Sequence, residues 1–164
     1  MSQIDETVRE RSAAHATFVI ERSYDAPPQR VFDAWADPAA KARWLGPSEK
    51  PEGAYSLDFT VGGHEHLAIP TGDGAPVYRF DAVYQDIVPG QRIVYAYDMH
   101  RDDERISVSL ATVVIEADGA GTRLTLTEQG VFLDGLDTPA QREQGTHMLM
   151  DTLGSHVTGA GDGT

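Results

Sequence analysis

The sequence predicts an α+β domain in which one curved antiparallel sheet wraps around a long C-terminal helix, with two short helices after the first strand. Three observations carry this expectation. One strand-like stretch runs directly into two proline-bounded helical segments. Six further strand-like stretches follow, joined by turns too short for crossovers, which favours antiparallel hairpins. The last apolar repeat is helical, and its stripe needs an apolar face to cover.

The elements follow in order along the 164 residues. "ATFVIERSY" alternates Phe18 and Ile20 against Val19 and Glu21 and reads as a strand. In "DAPPQRVFDAWADP", Asp25 is the expected cap and the prolines pre-set the first turn. Val31, Phe32 and Trp35 recur at helical spacing, and Pro38 is expected to stop the helix. "PAAKARWLGP" gives a second short helix that ends at Gly46 and Pro47. The strands expected next are "AYSLDFTV", "HEHLAI", "VYRFDAVYQDIV", "RIVYAYDMH", "RISVSLATVVIEA" and "TRLTLTEQGVF". They are separated by "VGG", "PTGDGAP", "PGQ", "RDDE" and "DGAG", all turn chemistry. "DTPAQREQGTHMLMDTLGSHV" closes the chain as a long helix, with Asp137 or Thr138 as cap and Pro139 in the first turn. Leu149, Met150, Leu153 and Val157 form its apolar stripe. The domain is expected over residues 16–158, after a flexible N-terminal extension (1–15) and before a disordered tail (159–164).

Composition narrows the function. A hydrophobic share of 40% and a charged share of 24% suit one soluble domain with a real core. Against 26 acidic residues stand 13 basic ones, a formal charge of −13. Phosphate backbones and anionic membranes demand the opposite sign, so neither nucleic acid nor membrane is an expected partner. Lys41 and Lys50 are the only lysines. No apolar run is long enough to span a bilayer, and the first residues lack a secretory pattern. The absence of cysteine excludes disulfides and thiolate chemistry and suits the cytoplasm.

Four motifs in order resemble the START-like (SRPBCC) superfamily with its helix-grip fold, most nearly the branch of heat-shock-protein-90 ATPase activator homologues. "YDAPPQRVFDAWADPAAKARWLGP" resembles the family opening. "DFTVGG" resembles its Asp-x-Arg-Pro-Gly-Gly turn, with Thr60 and Val61 in place of Arg and Pro. "VYQDIVPGQRIVYAY" resembles the sheet hairpin, and "GTRLTLTEQG" the last strand. The closing helix departs from the family: the usual Gly-Trp is Gly145-Thr146 here, which implies a larger or more polar space beneath the helix. The resemblance spans about residues 16 to 157 and implies a fold with a pocket between helix and sheet. It implies no single activity, since members include lipid and hormone carriers, aromatic polyketide cyclases and chaperone co-factors.

Strand alternation gives each strand two faces, and the family pattern implies which of them meets the helix. Phe80, Ala82 and Tyr84 are expected to face the helix, with Ile93, Tyr95, Tyr97 and Met99 on the next strand. Ser107, Ser109, Ala111, Val113 and Ile115 follow, then Leu124, Leu126 and Glu128. Such an apolar face with a few hydroxyls and one acid suits either a small-molecule cavity or a plain helix-covered core. In the cavity reading the ligand contacts are Trp44, Glu65, Leu67, Phe80, Tyr84, Tyr95, Tyr97, Met99, Ser109, Leu126, Glu128, Thr146, Leu149, Met150 and Leu153. Trp35 is expected in the core.

"GGHEHLAI" poses a separate question. If Leu67 and Ile69 point inward, so does Glu65, and His64, His66 and Ala68 face solvent. A zinc site wants three or four protein ligands. His15, His100, His147 and His156 supply no linked spacing, so no metal is expected. An inward Glu65 pairs with an arginine, Arg79 or Arg142, or reaches the pocket mouth. Alternatively, it shares an apolar space with Glu128, where desolvation raises carboxyl pKa values and suits them to acid/base work.

Three functions follow as expectations: binding of a small hydrophobic or aromatic molecule without a cofactor; a cyclase-, aromatase- or hydrolase-like reaction using Glu65 and Glu128; or a chaperone-ATPase-activating module. A homodimer through a sheet face or edge is compatible with each, "VSLATVV" being a sticky strand if left uncovered.

Overall fold

The structure, a computed structural model, describes residues 10–159. In chain order these form β1 (Ala13–Tyr24), α1 (Pro28–Ala36), α2 (Pro38–Trp44), β2 (Tyr55–Leu57), β3 (His64–Pro70), β4 (Val77–Val88), β5 (Arg92–Arg101), β6 (Glu104–Asp118), β7 (Gly121–Leu133) and α3 (Pro139–Val157). The strands make one seven-stranded curved sheet in the order β1-β7-β6-β5-β4-β3-β2, antiparallel throughout. The α+β helix-grip architecture expected from the sequence is therefore present. Among the described residues no helix is long and apolar enough to cross a membrane.

Local differences have physical causes. β1 starts three residues earlier than its alternation suggested, because Ala13, Ala14 and His15 pair with Leu133, Phe132 and Val131. The residues before 10 and after 159, which hold most of the expected extension and tail, lie outside the described residues. Asp25 does not cap α1. Pro27 occupies the cap without a side-chain bond, and Pro28 fills the first position. Pro38 both ends the pattern of α1 and opens α2, where its missing N–H costs nothing. Thr138, not Asp137, caps α3, its hydroxyl accepting from the Gln141 N–H at 3.2 Å.

"AYSLDFTV" is a strand only at Tyr55–Leu57. The rest folds into a tight turn, in which the Gly63 N–H donates to the Thr60 carbonyl and Gly62 and Gly63 exchange backbone bonds with Tyr84. Gly62, at φ +84°, supplies the left-handed residue this turn requires. The turn thereby clips onto β4. β6 lies between β5 and β7, so the edge of "VSLATVV" is covered on both sides.

Two bulges adjust the sheet. Gln85 is the extra residue on β4 and Ile106 the extra one on β6. Ile106 and Ser107 are consequently both buried, against simple alternation. Inside, α3 covers the sheet with Met150, Leu153 and Val157 wholly buried and Leu149 half-buried. α1 packs on α3, β6 and β7, while α2 bridges α3 and β2. The α3 contact with β1 is close: a Cβ on Gly154 would meet the Tyr24 ring at 2.9 Å, and the Tyr24 hydroxyl donates to the Met150 carbonyl at 2.7 Å.

Gly63 tests the turn. A Cβ there would lie 2.2 Å from the Asp58 carbonyl oxygen, a backbone atom that cannot swing away. Gly63→Ala should cost about 1–3 kcal/mol in urea unfolding. Gly145→Ala, in a helix with nothing within 4 Å of its Cβ, should lose no stability.

Candidate functional site

Helix and sheet do not close on each other completely. A cavity of about 240 Å³ remains between α3, the end of α2 and strands β3, β4, β5 and β7. Its apolar wall comes from the inward positions of the strands (Leu67, Ile69, Phe80, Tyr95, Met99 and Leu126) and from Trp35, Trp44, Leu45, Leu149 and Met150 on the helical side. Its polar wall is Lys41, Tyr97, Glu128, Asp137, Gln141, Arg142 and Thr146.

Most of the contact residues read from the sequence are on this wall: Trp44, Leu67, Phe80, Tyr95, Tyr97, Met99, Leu126, Glu128, Thr146, Leu149 and Met150. Four are not. Leu153 and Tyr84 are wholly buried within packed core, and Ser109 is buried against Gly130, whose added Cβ would stand 2.8 Å from its Oγ. Glu65 points inward, as the alternation required, but is consumed by partners behind the wall. Trp35, Lys41, Leu45, Gly46, Ile69, Asp137, Gln141, Arg142 and Gly145 also line the cavity. The signal for Lys41 was its spacing: it precedes Trp44 by three on a short helix, so the two share a face.

Glu65 pairs with neither of the expected arginines. Arg79 donates to the Asp102 carbonyl instead. Lys41 Nζ reaches Glu65 Oε1 at 2.8 Å, both side chains being almost wholly buried. The Tyr84 hydroxyl donates to the same carboxylate oxygen at 2.7 Å and accepts from Lys41 Nζ at 2.9 Å. The other oxygen, Oε2, accepts from the Tyr55 hydroxyl at 2.6 Å. Around the ammonium lie the rings of Trp35 at 5.0 Å, Tyr84 and Tyr95 each at 5.6 Å, and Trp44 at 5.9 Å. Burial pushes the Lys41 pKa down, and the Glu65 charge and hydrogen bond oppose that shift. Burial also holds the Tyr84 hydroxyl far above its ordinary range, reinforced by Glu65, so it remains a donor.

A second polar cluster joins α3 to the sheet. The Arg142 guanidinium donates to Asp137 Oδ2 at 2.7 Å, Ser107 Oγ at 2.8 Å and the Tyr97 hydroxyl at 3.0 Å. The Tyr97 hydroxyl in turn donates to Glu128 Oε2 at 2.8 Å, which is 4.0 Å from the guanidinium. Burial raises the Glu128 pKa, while Tyr97 and Arg142 pull it back.

The histidines of "HEHLAI" do not act as a pair. His64 is exposed, and His66 Nδ1 lies 2.6 Å from Asp81 Oδ1 on the outer face. There Asp81, Asp98 and His100 bring possible ligand atoms within 4.8 Å of one another. His66 and Arg105 already take one carboxylate each, Arg105 Nε reaching Asp98 Oδ2 at 3.1 Å.

Both clusters make measurable statements. Lys41→Met strands a buried carboxylate and should cost about 3–5 kcal/mol, whereas adding Glu65→Leu should restore most of it; urea unfolding of both variants checks this. Glu128, with its folded pKa above its unfolded value, binds its proton more tightly in the native state. Its stabilising contribution is therefore full below the ordinary carboxylate range and is lost as pH rises through the raised value. The urea midpoint should fall across that interval, and Glu128→Gln should flatten the fall.

Comparison with known proteins agrees with this geometry. The family model described as Activator of Hsp90 ATPase homolog 1-like protein matches residues 25–158. A protein of known structure from Rhizobium leguminosarum is 46% identical, with a TM-score of 0.86 over 91% of this chain and 98% of that one. The Mll3558 protein from Rhizobium loti is also 46% identical, with a TM-score of 0.82 over 88% of this chain and 99% of that one. CalU16 from Micromonospora echinospora, at 20% identity, shares the fold with a TM-score of 0.62 over 90% of this chain and 85% of its own. No curated protein matches the chain. Motifs, fold and family model converge: the chain belongs to the Activator of Hsp90 ATPase homolog 1-like family, within the START-like (SRPBCC) superfamily.

Proposed function

We propose that this protein binds a small hydrophobic or aromatic molecule in the cavity between α3 and the sheet. One observation carries the reading: a mostly apolar, aromatic-rich wall surrounds about 240 Å³ and meets a hydrogen-bonded cluster of Tyr97, Glu128, Asp137 and Arg142. Such sites take their affinity from apolar burial and their orientation from a few polar groups. An apolar cavity of about 150 Å³ already takes up benzene, so this one suits a substituted ring. Gly145 and Thr146 support the reading. They line the cavity, and nothing lies within 4 Å of a Cβ built on Gly145, where the resembling family places the indole of its Gly-Trp pair nearby.

Glu128 also supports a second reading, an enzyme of cyclase, aromatase or hydrolase type with this carboxyl as its acid. Glu65 faces Lys41, Tyr84 and Tyr55 rather than Glu128 and is not its partner in that chemistry. Chaperone activation rests on the family name alone. A homodimer would use the outer sheet face, where Val19, Val108 and Leu110 are exposed, and the cysteine-free composition supports a cytoplasmic setting.

A thermal-shift screen of small aromatic compounds checks the proposal. A binder at a hundred times its Kd should add about 2.7 kcal/mol. Thr146→Trp, which fills the space from the helix side, should abolish that gain while leaving the protein folded. A wild-type protein that no such compound stabilises, and that carries nothing in native mass spectrometry, would end the proposal.

A further inference from the structure

Lys41 is the one element of the wall that simple ligand binding leaves unexplained. Apolar residues of similar volume commonly match or exceed a buried ion pair in stability, so stability alone does not account for an ammonium here. Its position is specific. Nζ belongs to a cavity-lining side chain, stands among four aromatic rings, and makes two hydrogen bonds, to Glu65 Oε1 and the Tyr84 hydroxyl. The two partners also bond each other, the Tyr84 hydroxyl donating to Glu65 Oε1 at 2.7 Å. Lysines desolvated in apolar pockets are the ones that react with carbonyl groups.

We infer that Lys41 is a covalent ligand-binding residue, whose amine condenses with the aldehyde or ketone group of an aromatic or conjugated molecule held in the cavity. This deepens the binding reading above and rests on it. The step balances within the cluster. The ammonium passes a proton to the Glu65 carboxylate, and the freed nitrogen lone pair forms a bond to the carbonyl carbon. The carbonyl π pair moves to oxygen, which takes a proton from the new nitrogen centre to give a carbinolamine. Glu65 then returns its proton to that hydroxyl. The C–O bond breaks with loss of water, and the nitrogen lone pair closes the iminium. One ammonium and one carbonyl become one iminium and one water, and no oxidant or reductant is needed. Positive charge stays opposite the Glu65 carboxylate, so the buried pair survives the reaction. Tyr84, bonded to both groups, relays the proton without ionising. The downward pull of burial on the Lys41 pKa works in the same direction, since it raises the share of free amine.

The lysine content makes the test clean: besides the N-terminus, only Lys41 and Lys50 carry amines. Lys50 bonds the Ala42 and Pro47 carbonyls and does not line the cavity. The full chain is incubated with benzaldehyde, salicylaldehyde or cinnamaldehyde and sodium cyanoborohydride, then mapped by peptide mass spectrometry. At least one aldehyde should leave a saturable adduct on Lys41. The corresponding alcohol should compete with it, Lys50→Arg should leave it unchanged, and Glu65→Gln should slow it by about tenfold or more. Because the wild-type map locates the label, the result needs no Lys41 variant to fold. Labelling confined to Lys50 and the N-terminus, while the alcohols still stabilise the protein in thermal shift, overturns the covalent role and leaves the binding site standing. If the alcohols also fail to bind, both readings fall.

Discussion

A lysine ammonium and a glutamate carboxylate, facing each other inside a box of aromatic rings, decide how this fold is closed. Lys41 lies on a helix of seven residues, too short to hold its own shape. Glu65 lies on β3, next to the edge strand. Their bond ties the shortest of the described helices to the strand beside one sheet edge. Once made, it fixes Trp44, Trp35 and Tyr95 around it, and those rings are also the cavity wall. Neither charge tolerates loss of the other, so the arrangement is held more by the penalty for breaking it than by net attraction.

The opposite attachment is made by Arg142. Its guanidinium reaches from α3 to Ser107 and Tyr97 on the sheet and to Asp137 ahead of the helix. Between these two anchorages the apolar stripe of α3 meets the sheet only in part. Met150, Leu153 and Val157 seal the C-terminal half of the helix against the core. Its N-terminal half is spaced by polar side chains and by Gly145, and the space stays open. Two polar clusters therefore prop the layers apart where continuous apolar packing would have drawn them together.

Much of this was legible in the sequence. Alternation, with the family pattern to choose between the two faces, placed Phe80, Tyr95, Tyr97, Met99, Leu126 and Glu128 on the inner face, because strands with one buried side have a fixed register. The inward turn of Glu65 followed from Leu67 by the same rule. Its partner did not, because a lysine on a helix and a glutamate on a strand 24 residues later share no local pattern. Ile106 escaped because a bulge adds a residue and breaks the period. Most of "AYSLDFTV" was misread because its alternation resembles a strand, while its hydrogen bonds run to its own turn and to Tyr84. Ser109 shared the inward face but met Gly130, whose missing side chain lets the two strands crowd it out of the open space.

The start of α3 and the residue ahead of it form part of the cavity wall. Asp137, Gln141 and Arg142 stand on it, and a single threonine hydroxyl holds one of the backbone donors that a helix start leaves without internal acceptors. That turn is the loosest part of any helix, whereas the sheet behind it is bonded along its length. A guest held there as proposed would leave by fraying of the helix start rather than by breathing of the strands, which would make the cap at Thr138 a kinetic latch as well as a structural one.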